Sequence, residues 1–309
     1  MRRCVRNAAA LLALLTLLTL LTGCAKSPRE AAEVPSDTVV YAASYPLYAL
    51  TDLVIGDCEG FQLHCLIAPQ DGCLRSYTLS DWDRSLLVNG ADVVIAGGCG
   101  LESFDEELES LASEHFALIE VLPGLELLDQ GGTGEESHFE GENPHLYLSR
   151  EGCREMLLVL SDALGALYPE ASDAFHENAQ KASEALSEPE ESHLQGEDRS
   201  VALMNEALLY PATECGLQIV NVSRRESGDM YADAALDACI QEIQSSGAEA
   251  VLLERQAPPM LTDALKQAGL RVLLLDGMST HAEAEGDQGL IEALQNNEAV
   301  IAEWLEEKE

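Results

Sequence analysis

Basic residues are scarce in this sequence. Lys and Arg account for 17 of its 309 residues against 55 Asp and Glu, so the formal net charge is −38 at pH 7. Proteins bind phosphate groups mainly through clustered Lys and Arg, and this balance therefore argues against a nucleic-acid partner. An acidic surface raises the local concentration of cations, but it also keeps a protein soluble. The net charge alone does not indicate which kind of small ligand the protein binds.

Several motifs that carry enzymatic chemistry are also missing. The chain has no H-E-x-x-H, no G-x-S-x-G and no G-x-x-x-x-G-K-[ST], so a metalloprotease, a serine hydrolase and a P-loop enzyme are not indicated. It has no C-x-x-C pair, which excludes the usual zinc ribbon and thioredoxin motifs. Pairing among Cys58, Cys65 and Cys73 is left open. We therefore expect a binding protein and no enzyme.

Long apolar runs are confined to the start of the chain. Residues 8–21 are uncharged and follow a basic stretch that contains Arg2, Arg3 and Arg6, and no later run reaches the roughly 18 residues that a membrane span needs. The run is short and ends in a cleavage-type sequence, which predicts a secretory signal over residues 1–23. The ending L-T-G-C resembles the bacterial lipobox, which implies lipidation of Cys24 and attachment to the outside of the cytoplasmic membrane.

The rest of the chain alternates between short apolar strands and helical patterns. We expect a polar tether over residues 24–36, a first α/β lobe over 37–149 and a second over 198–309. A long helical stretch over residues 150–190 is predicted to link them, with Pro169 as a candidate break. Strands that alternate with helices of this length indicate parallel βαβ units. The predicted fold is therefore α/β, with two Rossmann-like lobes, parallel sheets and a ligand cleft between them.

Polar and ionisable residues follow several of the predicted strands, where such folds bind their ligands. An imidazole and carboxylates that converge from separate strand ends suit zinc or manganese. The candidates are Cys73 and Arg75 after the second strand, His145 near the middle of the chain, and Asn205, Glu206, Glu254 and Asp276 in the second half.

Several motifs resemble those of the cluster A-I solute-binding lipoproteins, which serve zinc and manganese ABC transporters. The matching segments are S-Y-T-L-S-D (76–81), A-D-V-V-I (91–95) followed by G-L-E (100–102), N-P-H-L-Y-L-S (143–149) and L-D (275–276). The resemblance covers nearly the whole chain after the leader. It implies that His145 and Asp276 are metal ligands, that zinc or manganese is the cargo, and that an ABC permease and the membrane are partners. We expect a monomer.

Two positions depart from the family pattern. Arg75 replaces the first ligand histidine, and Asn205 replaces the third ligand, which is His or Glu in the family. A guanidinium group has no lone pair for a metal ion and repels it. Three accounts stay open: a rebuilt ligand set around His145 and Asp276, an anion or metal chelate bound through Arg75, or the loss of metal binding. The residues that could complete a rebuilt set are Glu206, Glu254, His281 and Cys73.

Overall fold

The computed structural model of this protein describes residues 37–67, 77–129, 141–187, 198–223, 233–278 and 289–307. Within these ranges the chain forms two four-stranded sheets, and neighbouring strands pair in parallel throughout both. Parallel strands need crossover connections, which helices supply here. Both sheets lie in one compact unit, Thr38–Glu309. The prediction of an α/β fold with two lobes built on parallel sheets is confirmed.

The first lobe is built on a sheet with the strand order β2-β1-β3-β4. Its strands are β1 (Thr38–Ala42), β2 (Phe61–Cys65), β3 (Val93–Ala96) and β4 (Ala117–Glu120). Its helices are α1 (Tyr45–Ile55), α2 (Asp81–Gly90) and α3 (Asp105–Ala112). All four residues of β3 are buried, as expected for an apolar strand in a parallel sheet. Ser80 and Asp83 form a capping box at the start of α2.

The helical stretch predicted between the lobes contains two helices. They are α4 (Arg150–Leu167) and α5 (Ser172–Leu186), and both pack against α1 of the first lobe. The break falls at Tyr168, whose backbone angles of φ −128° and ψ 74° are not helical. Pro169 explains this position, because a proline disfavours the helical conformation of the residue before it.

The second lobe repeats the strand arrangement of the first, with the order β6-β5-β7-β8. Its strands are β5 (Ser200–Leu203), β6 (Gln218–Val222), β7 (Ala250–Glu254) and β8 (Val272–Leu275). Its helices are α6 (Leu209–Glu214), α7 (Asp233–Ser246), α8 (Pro259–Gln267) and α9 (Gly289–Glu306). The helical pattern over residues 206–214 predicts one helix, but a 3-10 turn, Glu206–Leu208, precedes α6 and only the second part is α-helical.

Side chains of the second lobe hold the start of α4. Glu214 Oε1 accepts hydrogen bonds from Ser149 Oγ at 2.9 Å, Arg150 N at 2.8 Å and Glu151 N at 3.2 Å. These main-chain N–H groups have no partner inside the helix, and a carboxylate there also interacts favourably with the helix dipole. Arg150 in turn forms an ion pair with Glu298 of α9. The connection between the lobes is therefore fixed by charged groups as well as by packing.

The hydrophobic core of the first lobe extends to the last helix of the chain. Leu290, Ile291 and Leu294 of α9 belong to the same buried cluster as α1, α4 and the first sheet, while α9 also packs against β8. Two further clusters of buried residues lie in the second lobe. In the part of the chain that the structure describes, none of the helices combines the length and apolar character of a membrane span.

Candidate functional site

Four of the candidate residues lie at one edge of the second sheet. Asn205 and Glu206 follow β5, Glu254 ends β7 and Asp276 follows β8. The strands are parallel and β7 pairs with both β5 and β8, so these carboxyl ends lie side by side. Asn205, Glu206 and Asp276 are buried, and Glu254 is half-buried. The structure thus places the four positions where open α/β sheets bind ligands.

His145 is held by Asn143 in one defined tautomer. The Asn143 amide is oriented by main-chain groups, because its Nδ2 donates to Glu206 O at 2.8 Å and its Oδ1 accepts from His145 N at 3.1 Å. The same Oδ1 lies 2.8 Å from His145 Nδ1. A carbonyl oxygen can only accept, so Nδ1 carries the proton and the lone pair of the neutral ring is on Nε2. Asn143 therefore connects His145 to Glu206 and defines which ring nitrogen can bind a cation.

Tyr210 fixes the main chain at Asn143. Its hydroxyl donates to Asn143 O at 2.7 Å and accepts from Leu128 N at 3.2 Å, and Asn143 N donates to Leu128 O at 2.7 Å. Burial raises the pKa of Tyr210 to about 12, against the opposing effect of the bond from Leu128, so the hydroxyl keeps its proton at neutral pH. The segment that leads to His145 is thus tied to α6 of the second lobe.

Asn205 caps the 3-10 turn that follows β5. Its Oδ1 accepts a hydrogen bond from Ala207 N at 2.7 Å, and its side chain is buried. Asn is well suited to this position, because a short carbonyl oxygen satisfies a main-chain N–H that has no partner in the turn. A metal ion bound through Oδ1 would share that oxygen with the cap. Ligation by Asn205 stays a prediction.

The carboxylate of Asp276 is held by two hydrogen bonds. Its Oδ1 accepts hydrogen bonds from Gln256 Nε2 at 2.6 Å and from Met278 N at 2.8 Å. Its main chain is fixed by Asn297 of α9, which accepts from Asp276 N at 2.6 Å and donates to Asp276 O at 2.9 Å. The two carboxylate oxygens therefore have different surroundings.

Glu254 lies against the residue after Asp276. A Cβ atom at Gly277 would overlap Glu254 Oε1, so any other residue there would require this carboxylate to move. Because β7 and β8 are neighbours, the close approach brings a second carboxylate to the edge that Asp276 occupies. Because of its position at this strand end, Glu254 remains a candidate metal ligand, as the sequence predicts.

Other predicted participants lie outside the described residues. Among the residues that the structure does describe, no three His, Cys, Asp or Glu side chains are close enough together to hold a metal ion. Cys58 and Cys65 are both free thiols and do not pair with each other. The predictions that fall outside the described ranges concern Cys24, Cys73, Arg75 and His281.

Two acidic side chains of the first lobe meet beyond the carboxyl end of β3. Glu102, which is 2% exposed, accepts from Gly97 N at 3.0 Å, and Asp105 accepts from Gly100 N at 3.0 Å. Glu102 Oε1 and Asp105 Oδ1 are buried and have no hydrogen-bond partner among the described residues, so ionisation of both groups is unfavourable. Burial and the nearby Asp105 charge raise the pKa of Glu102 well above its usual value. Neither residue is among the predicted ligands.

The residues that orient the candidate ligands were not assigned a role from the sequence. Asn143 lies within the N-P-H-L-Y-L-S motif, and its adjacency to Pro144-His145 is the available clue. Gln256 follows Glu254 by two positions, which places it at the same strand end. Asn297 interrupts the apolar face of α9, and a buried amide in such a place indicates a hydrogen-bonding role.

Comparison with known proteins identifies relatives of this chain. It is 22% identical over 258 residues to the zinc-binding lipoprotein AdcA of Streptococcus pneumoniae, which covers 79% of this chain and 51% of that protein. The chain thus spans about half the length of the curated relatives it matches. The solute-binding protein FpvC of Pseudomonas aeruginosa in complex with Mn2+ superposes with a TM-score of 0.73 at 19% identity, over 88% of this chain and 99% of that one.

A second solved structure, a Zn(II)-bound variant of AdcAII from Streptococcus pneumoniae, gives a TM-score of 0.70 at 19% identity and covers 87% of this chain and 98% of that one. At 19% identity, the similarity to these two solved structures shows a common two-lobed fold. The family described as "Zinc-uptake complex component A periplasmic" (ZnuA) matches residues 40–304. That match extends over most of the chain, and the protein therefore belongs to the ZnuA family.

Proposed function

We propose that this protein is the solute-binding component of an ABC importer, which captures zinc or manganese outside the cytoplasmic membrane and delivers it to a permease. Membership of the ZnuA family supports this role. AdcA is named for zinc binding, and the similar solved structures include complexes with Ni2+, Mn2+ and Zn(II). The metal ion is cargo in this proposal, so the protein binds and releases it without a catalytic step.

The hydrogen bond between Asn143 and His145 carries the proposal. It places the lone pair of the neutral imidazole on Nε2, which is the state that a metal ligand requires. Asp276 supplies a carboxylate at the end of β8, and imidazole nitrogen with carboxylate oxygen suits zinc and manganese. Glu206, whose main chain bonds to Asn143, is our first candidate for a further ligand. Asn205, Glu254, Cys73 and His281 complete the candidates.

The location follows from the leader sequence. We propose that Cys24 is lipidated after removal of residues 1–23 and that residues 24–36 tether the lobes to the membrane. AdcA, which the chain resembles, is itself named as a lipoprotein. A tether of this kind keeps a receptor close to a membrane transporter. Metabolic labelling with a palmitate analogue tests it, since a Cys24→Ser variant should lose the label.

Equilibrium dialysis followed by elemental analysis tests metal binding. We expect binding of zinc or manganese tighter than micromolar, and we expect His145→Ala to weaken it at least about tenfold. His176→Ala is the matched control, because His176 is exposed on α5 and pairs with Asp162 away from the site. The proposal fails if no divalent ion binds tighter than micromolar and zinc leaves the melting temperature unchanged, since a ligand of the native state must stabilise it.

Arg75 supports one alternative cargo. A guanidinium group at the position of the first ligand histidine could pair with a carboxylate, so the ligand would be an anion or a metal chelate. This alternative expects zinc to bind only together with citrate, and it expects Arg75→Ala to abolish the citrate-dependent binding. Tight binding of zinc in the absence of any chelator would contradict it.

A further inference from the structure

The two oxygens of the Asp276 carboxylate are not equivalent. Oδ1 accepts one hydrogen bond from the side chain of Gln256 at 2.6 Å and one from Met278 N at 2.8 Å. Both lone-pair directions of this oxygen are therefore in use. A cation that reaches Asp276 meets its other oxygen, Oδ2, unless it displaces one of these donors.

The orientation of Gln256 is fixed independently of Asp276. Gln256 Oε1 accepts a hydrogen bond from Gly277 N at 3.1 Å, and a main-chain N–H can only donate. The amide is therefore oriented with Nε2, its donor group, towards Asp276 Oδ1. Its two bonds span the end of β7 and the residues after β8, so rotation of the amide would break both.

The position of the Asp276 main chain is fixed by a different residue. Asn297, which is 1% exposed in α9, bonds to both the N–H and the carbonyl oxygen of Asp276. Asn297 thus holds the backbone, while Gln256 holds the carboxylate. The two roles are separable, because they use different atoms of Asp276.

We propose that Gln256 is a positioning residue that restricts Asp276 to ligation through Oδ2 alone and thereby favours zinc over manganese. Zinc in proteins takes few ligands, mostly four in a tetrahedron, and is satisfied by one carboxylate oxygen. Manganese prefers oxygen-rich octahedral sites, which a carboxylate supplies more easily when both of its oxygens bind. A carboxylate whose second oxygen is occupied disfavours the larger ligand number. This inference rests on the proposed function, because it takes Asp276 as a ligand.

The Gln256→Met variant tests the inference, since methionine has a similar length but donates no hydrogen bond. Competition titrations with zinc and with manganese should show that the ratio of the two dissociation constants shifts towards manganese at least about tenfold. Gln244→Met is the matched control, because Gln244 Nε2 also donates a hydrogen bond, to Ala268 O at 3.0 Å, but Gln244 is exposed. Its ratio should equal that of the wild type.

The outcomes separate this inference from the proposed function. Equal weakening of both metals in Gln256→Met, or an unchanged ratio, overturns the positioning role while leaving metal binding in place. Wild-type protein that binds neither metal refutes both proposals. If Gln256→Met does not fold, a crystal structure of the wild type with zinc decides the question. Coordination through Oδ2 alone supports the inference, and coordination through both oxygens of Asp276 overturns it.

Discussion

Replacement of Glu102 by Gln should remove a pH dependence of stability that the native carboxyl pair creates. The charges of Glu102 and Asp105 interact unfavourably, while one oxygen of Glu102 accepts from Gly97 N and one oxygen of Asp105 accepts from Gly100 N. A Gln side chain fits the same contacts without ionising, because its carbonyl oxygen can accept from Gly97 N and its NH2 group can donate to Asp105. The variant therefore keeps the hydrogen bonds and loses only the titration.

The size of the effect follows from proton linkage. An ordinary glutamate titrates near pKa 4.5, and burial and the Asp105 charge raise the pKa of Glu102 well above this in the folded protein. Between the two values the native state holds one proton more than the unfolded chain. The free energy of unfolding of the wild type therefore falls by about 1.4 kcal/mol per pH unit relative to Glu102→Gln. The stabilising contribution is complete below the usual pKa and is lost as the pH rises towards the folded-state pKa.

Urea unfolding at a series of pH values measures this difference. Circular dichroism reports on both lobes, and the fluorescence of Trp82 and Trp304 reports on one lobe each. Burial also raises the pKa of Glu120 and Glu214, but both groups are retained in the variant and their effects cancel in the comparison.

Glu106→Gln is the control for the pH series, because Glu106 is exposed on the same helix, α3. Its stability curve should run parallel to that of the wild type over the whole pH range. Parallel curves for the wild type and Glu102→Gln would instead refute the raised pKa of Glu102.

Two further predictions concern the connections between the lobes. Asn143→Ala should weaken zinc binding by about 10- to 100-fold, because His145 loses the acceptor that fixes its tautomer, and isothermal titration calorimetry measures it. An unchanged affinity would contradict this role. Glu214→Ala should lower the free energy of unfolding by about 1–3 kcal/mol, because three donors at the start of α4 lose their acceptor, and urea unfolding at pH 7 measures it. A decrease of less than about 0.5 kcal/mol, which is the size of an ordinary surface-substitution effect, would contradict this role of Glu214.

The regular elements could be predicted because their patterns are local. Residues 92–96 form an apolar run that predicts a buried strand, and the structure has β3 at Val93–Ala96. The pattern over residues 101–111 predicts a helix, but α3 begins only at Asp105. Leu101, Phe104 and Leu108 do have helical spacing, but residues 98–100 all have positive φ and the Glu102 carboxylate binds Gly97 N. A buried carboxyl group thus overrides the apolar periodicity over one turn.

Candidate ligands and the residues that orient them differ in how far a sequence can predict them. Asp276 could be selected because strand ends are visible as pattern changes and parallel strands share an edge, whereas His145 follows no strand and is implied by the resemblance of N-P-H-L-Y-L-S to the family motif. Asn297 is 21 residues away from Asp276, and its two bonds depend on how α9 packs against β8, which no local pattern encodes. Its one clue was a polar residue on an apolar helical face.

Asn205 illustrates a second limit of prediction from the sequence, which concerns a candidate ligand and not an orienting residue. The sequence places it where the family has a metal ligand, and its residue type could serve as one. In the structure its Oδ1 already accepts from Ala207 N, so the turn after β5 depends on the same atom. A residue at a ligand position thus binds metal only if the atom it offers is not needed by the backbone. The same criterion applies to Asp276. Hydrogen bonds from Gln256 and Met278 N use its Oδ1, so Oδ2 is the oxygen that a cation can bind.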